Sequence, residues 1–478
     1  MGKIKDVTIT LVIPVYNVEP YLEQCLESVV NQSVSFDEII LINDGSTDNS
    51  LKICKQYVSS YNYFEFINQE NKGLSSARNV GMEHASSKYI MFLDSDDYLR
   101  NDTAEILKSR LQNAEYDAIF FDSDILCETD FNLIKRNIYD RSETNIDGMS
   151  MSGWKYFSIC YPRNYVVSAC MAVYKKDLIR NAMIQFPEGR YYEDNYFTFA
   201  FLNQVKNVIH ISDKLYQRRY REHSITISKY TEKKFIDYIE VSRLVWKNIC
   251  KSKYENIPEL RKLLFAYISD QCIRSLKDYQ TCKAQGIELS VEASDLLVQT
   301  MEDYFDLLKK SDWDDVSLDL SIVVRTLIIF HYINSLHLMQ GIDLRFPILE
   351  IVKIQKELYI RKLKELPFNR EGFKVGIYGT GKHTEGLFLL YEKLIGKIMC
   401  NIIFIDSKRD NDTYGNKKLV HIQRIGEMDL DLIVVSSFIY EQEMIRNVRR
   451  VQPEASVYTF YEELNEDIFS NYEIFLEY

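Results

Sequence analysis

Residues 89–97 read YIMFLDSDD, a run of apolar side chains that ends in three aspartates and one serine. The apolar part, residues 89–93, has the length and composition of a buried strand. Carboxylates gathered at the end of a strand repel one another unless a cation neutralises them. Mg²⁺ and Mn²⁺ bind one or two carboxylates together with substrate phosphates, so the motif predicts a divalent-cation site. An isolated Asp-x-Asp is common by chance, and alone it would indicate only a solvated turn.

The residues before this motif alternate between two patterns. Strand patterns occupy residues 7–15, 38–42 and 64–67, and helix patterns occupy residues 19–31, 50–57 and 75–86. Strands separated by helices predict βαβ units and a mostly parallel sheet. The polar residues that follow each strand then lie at one edge of the sheet, where open α/β sheets bind ligands.

Two further polar segments follow the neighbouring strands. Asp44 comes after the strand pattern at 38–42, within the segment INDGSTD. Gly73 stands just before the predicted helix that carries Arg78. The free N–H groups of a helix start and the fork of a guanidinium both suit a phosphate. Together with residues 94–97, these segments predict a site for a phosphorylated ligand.

In order and spacing, these stretches are similar to the family 2 glycosyltransferases of GT-A fold. The resemblance rests on VIPVYN at 12–17, NDGSTD at 43–48, NKG at 71–73 with ARNVG at 77–81, and FLDSDD at 92–97. It covers residues 7–100 closely and residues 100–230 loosely. It implies an α/β nucleotide-sugar-binding domain that transfers a sugar with inversion at the anomeric carbon.

The resemblance also implies roles for single residues. Residues 14–16 would line the nucleobase, Asp44 would accept a hydrogen bond from uracil, and Asp94 would lie near the ribose. Asp96 would bind Mn²⁺ or Mg²⁺. The residues expected to bind the nucleotide-sugar are Pro14, Val15, Tyr16, Asp44, Asn71, Gly73, Arg78, Asp94, Ser95, Glu193, Arg219, Arg221 and Ser224.

A second acidic pair, Glu193 and Asp194, precedes a helix pattern at 196–202. The helix dipole stabilises a carboxylate in this position, so an ordinary helix start is one explanation. A single displacement needs one carboxylate to take the proton of the attacking hydroxyl. In inverting members of the family, the Asp of such a pair has this role. We therefore predict that Asp194 is the general base.

A basic segment, YQRRYREHSIT at 216–226, comes next. Arginines at this point of the chain suit a diphosphate leaving group. Alignment with the family places Arg219 and Arg221 on its basic positions and His223 one step before Ser224. His223 is therefore either a third metal ligand or a loop histidine, and both alternatives stay open.

Beyond residue 230 the pattern changes twice. It is helical to about residue 366, and a new α/β pattern begins at Phe373, followed by KVGIYGTGKHTEG at 374–386. This stretch resembles a Rossmann turn, although Gly386 falls two positions late for the dinucleotide fingerprint. We expect a GT-A domain at 1–230, a mostly helical region at 231–368, and a small Rossmann-like α/β domain at 369–478.

The amino-acid composition limits which binding partners and cellular locations are expected. A formal net charge of −12 disfavours nucleic acid as a partner, because phosphate binding needs a basic surface. The nine cysteines form no CxxC pair, and no secretory signal or long apolar stretch is evident. We therefore expect a cytoplasmic protein. Basic residues at 353–370 leave peripheral contact with the inner face of a membrane open, and the helical region leaves a homo-oligomer open.

Together with the family resemblance, the sequence predicts a hexosyl- or N-acetylhexosaminyltransferase that uses a nucleotide-sugar. UDP is the nucleotide we expect. Its acceptor would be a hydroxyl of a surface glycan, polymer or glycoprotein. Two alternatives remain: a catalytically degenerate scaffold that binds nucleotide-sugars, and an NAD-dependent sugar-nucleotide enzyme that acts through residues 369–478.

Overall fold

The computed structural model describes residues 7–127, 137, 139–164, 167–220, 229–249, 258–310, 360–380, 382–407, 412–414, 417–436 and 441–459, with isolated positions between 325 and 338. The chain divides into two compact units. One comprises Met1–Leu263 with Thr281–Leu296, and the other comprises Leu264–Gln280 with Leu297–Tyr478.

Within its described residues, the first unit is built on a nine-stranded mixed sheet. The strands are β1 (Ile9–Val15), β2 (Glu38–Asp44), β3 (Phe64–Gln69), β4 (Tyr89–Phe92), β5 (Tyr98–Leu99), β6 (Ala118–Cys127), β7 (Ser150–Met151), β8 (Ala172–Lys175) and β9 (Val208–Tyr220). Their order is β3-β2-β1-β4-β8-β6-β9-β5, with β7 paired to β9. The first four strands are parallel, which confirms the predicted βαβ units.

Helices connect and cover these strands. They are α1 (Glu19–Val30), α2 (Ser50–Ser60), α3 (Leu74–His84), α4 (Thr103–Asn113), α5 (Gly153–Asn164), α6 (Lys176–Asn181), α7 (Glu193–Leu202) and α8 (Glu232–Ile249). Two further helices, α9 (Pro258–Ala284) and α10 (Val291–Lys310), each have residues in both units. Helix α3 packs directly on β1, because a Cβ added to Gly81 would lie 2.3 Å from Val12 Cγ1. All seven residues of β1 are buried, as expected for a strand covered on both faces.

The strand order fixes where a ligand can bind. The chain passes from β1 to β2 and β3 on one side, and β4 then pairs with the other side of β1. A crevice is expected where the strand order reverses, outside the carboxyl ends of β1 and β4. Tyr16 follows β1 and Asp94 follows β4 at this edge, and Asp44 ends the adjacent β2.

Strand β9 is longer than the sequence pattern predicts. The pattern indicates a strand only at 208–211, but β9 runs from Val208 to Tyr220. Its second half, SDKLYQRRY, carries polar residues on both faces, so the alternation that marks a half-buried strand is hidden. Pairing with β6 along its length, across register shifts at Phe121 and Asp122, supplies the stabilisation that the pattern does not reveal.

The second unit contains a smaller sheet within residues 374–459. Its strands are β10 (Lys374–Tyr378), β11 (Asn401–Asp406), β12 (Asp412–Tyr414), β13 (Lys417–His421), β14 (Leu432–Val435) and β15 (Val457–Thr459), with helices α11 (Lys382–Leu394) and α12 (Glu441–Val451). The strand order is β12-β13-β11-β10-β14-β15, and only the β12–β13 pair is antiparallel. The predicted small α/β domain at the end of the chain is confirmed.

The turn after β10 differs from a dinucleotide fingerprint in its packing. Gly379 has a φ of +119°, and a Cβ there would lie 2.5 Å from the carbonyl oxygen of Ser436. Thr384 stands where the fingerprint has its third glycine. It is buried, and its hydroxyl lies 2.9 Å from the Gly379 carbonyl oxygen and 3.0 Å from Ser436 Oγ. The end of β14 therefore packs closely against this turn.

Among the helices that the structure describes, none combines the length and the apolar character needed to cross a bilayer. Seven of the nine cysteines are described as buried free thiols.

Candidate active site

Arg78 is the centre of the candidate site. It stands in the second turn of α3, and its guanidinium lies 2.7 Å from Asp94, 2.9 Å from Glu193 and 2.9 Å from Asp194. Its side chain is 1% exposed, whereas the three carboxylates are 12–22% exposed. The acids therefore reach solvent and Arg78 does not. Its predicted contact with the nucleotide stays a prediction, and the contacts observed favour a role in holding the acids.

The charges in this cluster shift the acidities of the three carboxyl groups in different directions. Burial alone would raise the pKa of Asp94, but Arg78 and Arg218 outweigh burial and hold it below its ordinary value. Burial raises the pKa of Asp194 against the opposing effect of Arg78. Burial and the charge of Asp194 raise the pKa of Glu193 to about 7. Such separation of acidities is typical of sites that move protons.

The turn after β4 is held by β9. The Tyr216 hydroxyl donates to Asp97 Oδ2 at 2.7 Å and accepts from the backbone N–H of Asp94 at 3.2 Å. The backbone N–H of Arg219 donates to Asp97 Oδ1 at 2.7 Å. Burial, followed by the charge of Asp96, raises the pKa of Asp97 to about 8. Asp97 is thus a structural acid of the turn, beneath the partly exposed Asp94 and Asp96.

Asp44 organises the loop that leads into α3. Its Oδ1 accepts from Gln69 Nε2 at 2.8 Å and from the backbone N–H of Lys72 at 2.9 Å. Its Oδ2 accepts from the backbone N–H of Gly73 at 2.8 Å and keeps one lone pair. Gly73 has a φ of +91°, and a Cβ added there would meet nothing within 4 Å. The loop therefore presents open space beside Gly73, and Asn71 is exposed next to it.

The turn after β1 is tied to the turn after β2. Asn17, with a φ of +48°, accepts from the backbone N–H of Thr47 at 2.8 Å, and Glu19 Oε1 accepts from Asn49 Nδ2 at 2.7 Å. Pro14 and Val15 are buried in β1, whereas Tyr16 is 47% exposed at the edge of the sheet. Of the three predicted nucleobase residues, Tyr16 alone presents its side chain to a ligand.

The segment that leads into α7, which begins with Glu193 and Asp194, is held by α8. Asp237 on α8 is fully buried and accepts from Arg190 at 2.9 Å, from the backbone N–H of Tyr191 at 3.0 Å and from Lys233 at 2.7 Å. No local pattern connects a helix beyond residue 230 with the acidic pair. A charged residue on the apolar face of α8 was the available signal.

Arg218 is a site residue that sequence reasoning missed. Residues 216, 218 and 220 share one face of β9, so Arg218 lies on the side of Tyr216, towards Asp94 and Asp97. Its guanidinium lies 5.1 Å from the ring centre of Tyr139.

Arg219 projects to the opposite face. It donates to the Asp96 carbonyl oxygen at 2.9 Å and lies over Tyr21 of α1, 5.0 Å from the ring centre. Its predicted contact with the nucleotide-sugar stays a prediction.

The remaining predicted residues are distributed as follows. Ser95 is buried in the turn, and Asp96 is partly exposed. Arg221, His223 and Ser224 lie outside the described residues, so their predicted roles stay predictions.

The acids present fit a divalent cation that shares its ligands with a substrate. Within the described residues, no three His, Cys, Asp or Glu side chains converge into a complete protein shell. Mg²⁺ and Mn²⁺ commonly use one or two carboxylates and take phosphates and water for the rest. Partly exposed Asp96, at the strand edge expected to bind a phosphorylated ligand, suits such an ion.

Three comparisons with known proteins agree with this geometry. The family model described as Glycosyl transferase family 2 matches residues 10–181. The glycosyltransferase GlyA of Streptococcus pneumoniae is 32% identical over 225 residues, which cover 46% of this chain and 32% of GlyA. The minor teichoic acid biosynthesis protein GgaB of Bacillus subtilis is 28% identical over 314 residues, or 56% of this chain and 33% of GgaB.

The crystal structure of S. aureus TarS 1–349 in complex with UDP-GlcNAc is similar with a TM-score of 0.50 at 19% identity, over 70% of this chain and 88% of TarS 1–349. This likeness shows the fold. The first unit has a GT-A fold. Residues 10–181 within it are similar to glycosyl transferase family 2. The chain spans about a third of the length of GlyA and of GgaB.

Proposed function

We propose that this chain transfers a sugar from a nucleotide-sugar to a hydroxyl group with inversion, and that Asp194 is the general base. The observation that carries the proposal is the Arg78 cluster, which places Asp194 beside Asp94 at the reversal point of the sheet. One strand-end acid, Asp94, and the two acids at the start of α7 share Arg78 as their partner there.

Asp194 is better suited to the base role than Glu193. Asp194 is 22% exposed and Glu193 is 12% exposed. Asp194 Oδ1 is bound to Arg78, and its Oδ2 accepts only a long hydrogen bond, 3.3 Å, from the backbone N–H of Ala169. Oδ2 therefore keeps a lone pair for an acceptor hydroxyl. A raised pKa also makes Asp194 a stronger base than an ordinary aspartate.

The reaction is a single displacement. Asp194 takes the proton of the acceptor hydroxyl while that oxygen attacks the anomeric carbon from the face opposite the diphosphate. The bond from the anomeric carbon to the diphosphate oxygen breaks, and the nucleoside diphosphate leaves with the electron pair. Mn²⁺ or Mg²⁺ at Asp96, when bound, would neutralise charge on that leaving group.

The donor site lies along the loops after β1, β2 and β3 in this proposal. Tyr16 offers a ring at the edge, Asp44 Oδ2 keeps a lone pair for a uracil N–H, and Gly73 leaves room for close approach. A UDP-linked hexose or N-acetylhexosamine is the donor we propose. The similarity of fold to TarS, whose structure holds UDP-GlcNAc, supports this choice.

The acceptor we propose is a surface glycan, polymer or glycoprotein made at the cytoplasmic side of the membrane. The name of GgaB, a minor teichoic acid biosynthesis protein, supports a polymer of the cell surface. Peripheral contact with the membrane and a homo-oligomer remain parts of the proposal that need their own measurements.

The test uses the full chain with a panel of UDP-, GDP- and dTDP-sugars, Mn²⁺ or Mg²⁺, and measurement of released nucleoside diphosphate. We expect turnover with a UDP-sugar and its loss in Asp194→Asn and Asp96→Asn. Asp102→Asn, on the exposed loop before α4, is the matched control. Nucleotide binding without turnover across the whole panel would refute the proposal and support the scaffold alternative.

A further inference from the structure

The guanidinium of Arg218 has the charges of Asp97 and Asp94 near it but makes no direct contact with either acid. It forms no hydrogen bond and no ion pair within 4 Å in the part of the chain that the structure describes. It is nevertheless partly buried, and a guanidinium has five N–H donors that are costly to leave unpaired. Arg78 differs, because its partners are three carboxylates.

The orientation of Arg218 is fixed before any ligand arrives. Its guanidinium packs on the ring of Tyr139, 5.1 Å from the ring centre. The neighbouring Tyr216 on the same face of β9 is fixed by Asp97 and by the Asp94 N–H. A planar fork held in this way suits a carboxylate or a phosphate, which it can bind with two parallel hydrogen bonds.

The position of Arg218 is at the reacting end of the site. Arg218 shares a face of β9 with Tyr216, whose hydroxyl lies 2.7 Å from Asp97 Oδ2 and 3.2 Å from the backbone nitrogen of Asp94. In agreement with this position, the charge of Arg218 lowers the pKa of Asp94 and opposes the rise in the pKa of Asp194. One of these acids is expected near the donor sugar, and the other is the proposed base. A group bound by Arg218 therefore lies near the sugar or the acceptor.

We propose that Arg218 binds an anionic oxygen group, a carboxylate or a phosphate, carried by the transferred sugar or by the acceptor. The proposal deepens the proposed function, because it names the chemistry of a substrate of the same site. A neutral sugar and a neutral acceptor would offer the guanidinium no group that it could bind with two parallel hydrogen bonds.

The experiment measures binding to the full chain by calorimetry in the presence of Mn²⁺, so it needs no turnover. UDP-glucuronate against UDP-glucose tests the donor as the source of the anion. A glycerol phosphate trimer against glycerol, each added to the UDP-bound protein, tests the acceptor. We expect one anionic probe to bind about tenfold more tightly than its neutral partner.

Arg218→Gln is expected to remove this preference and to change the affinities of UDP and UDP-glucose by less than about twofold. Arg218→Lys, which keeps the charge but not the fork, should retain part of it. Lys214→Gln, which removes an exposed charge from the same strand, is the matched control. The same anionic preference in wild type and Arg218→Gln, or no preference in either arm, would overturn the proposal.

A loss of affinity for UDP itself in Arg218→Gln would also overturn the proposal, because it would assign Arg218 to the donor diphosphate. Wild-type protein that prefers an anionic probe through Arg218 but transfers no sugar would refute the proposed function and leave this inference intact. The two failures are therefore distinguishable.

Discussion

The two sheets of this chain share a topology and differ in the chemistry at their edges. In each, a central strand has its successor on one side and a later parallel strand on the other: β1 between β2 and β4, and β10 between β11 and β14. At the first edge, acids and guanidinium groups converge on partly exposed positions. At the second, Gly379, Thr384 and Ser436 pack against one another.

This difference shows that a reversal of strand order creates a crevice at the edge of a sheet, but the crevice becomes an active site only when suitable side chains line it. The first edge has buried charges that are costly unless they serve a ligand. At the second edge, the groups described at the turn after β10 satisfy one another. We therefore expect the chemistry of the protein to depend on the first edge and the stability of the second unit to depend on the second.

The largest expected effect is the loss of the base. Asp194→Asn keeps the shape and the contact with Arg78 but cannot accept a proton, so we expect transfer to fall by about 10²–10⁴-fold. Binding of the nucleoside diphosphate should change little. The measurement is kcat by diphosphate release alongside calorimetry with UDP. Full-strength turnover in this variant would remove Asp194 from the mechanism.

The second-largest effect on kcat is expected from substitution of Arg78, which contacts all three acids of the cluster. Arg78→Met leaves three carboxylates around an apolar side chain, and breaking a buried ion pair costs about 3–5 kcal/mol of unfolding free energy. Arg78→Lys is expected to fold, but it cannot contact three carboxylates with one fork. We expect its kcat to fall about 10²-fold, because misplacement of a catalytic group by about 1 Å has that effect. Wild-type kcat in Arg78→Lys would show that the cluster does not position the base.

A smaller effect on kcat is expected from substitution of Asp237 on α8. Asp237→Asn weakens the hold on Arg190 and on the backbone of Tyr191, so Asp194 should be positioned less well. We expect kcat to fall about tenfold, or about 1.4 kcal/mol on the barrier, with the KM for the donor unchanged. Glu240→Gln, which removes a partly exposed partner of the same arginine, is the control and should stay near wild type. Equal effects in both variants would argue for a general loss of stability.

The acidic pair also predicts the pH dependence of transfer. Burial and the charge of Asp194 raise the pKa of Glu193 to about 7, and burial raises that of Asp194. The active form has deprotonated acids, so kcat/KM should rise with pH through about 7. Glu193→Gln removes one titrating group and should move this rise to lower pH, whereas Glu188→Gln, at an exposed position, should not. An unchanged profile in Glu193→Gln would show that the pair does not set the pH dependence.

The smallest effect on catalysis is expected at the second edge. Gly379→Ala places a Cβ 2.5 Å from the Ser436 carbonyl oxygen at a φ of +119°, so we expect destabilisation by about 1–3 kcal/mol. Its kcat for transfer at 25 °C should equal that of wild type. Thermal unfolding, transfer rates and a titration with NAD⁺ are the measurements. Binding of NAD⁺ by wild type that is lost in Gly379→Ala would contradict the comparison and support the dinucleotide alternative.

Much of the first edge could be predicted from the sequence. Apolar strands that end in Asp44 and in Asp94 mark their own carboxyl ends, and a parallel sheet brings such ends together. The partners of Arg78 could not be predicted, because Glu193 and Asp194 lie 115 and 116 residues further along the chain. A local pattern carries no information about contacts of that range.

The choice between neighbouring arginines was also beyond the sequence. Which of Arg218 and Arg219 faces the acids depends on the phase of β9, and a one-residue shift exchanges the two faces. The strand pattern ends at residue 211, so the phase seven residues later was undefined. Pairing with β6 sets it, and this pairing lies outside any local rule.

The hydrogen bonds of Asp237 have a consequence for where the transferase module ends. The family match stops at residue 181, yet the segment before α7, which carries the proposed base, is held by a helix that runs to Ile249. A chimaera joined near residue 230 would contain the strand-end acids but would lack the hydrogen bonds to Asp237 that position the segment before α7. A chimaera between relatives should therefore have its junction beyond Ile249, so that α8 and the proposed base come from the same protein.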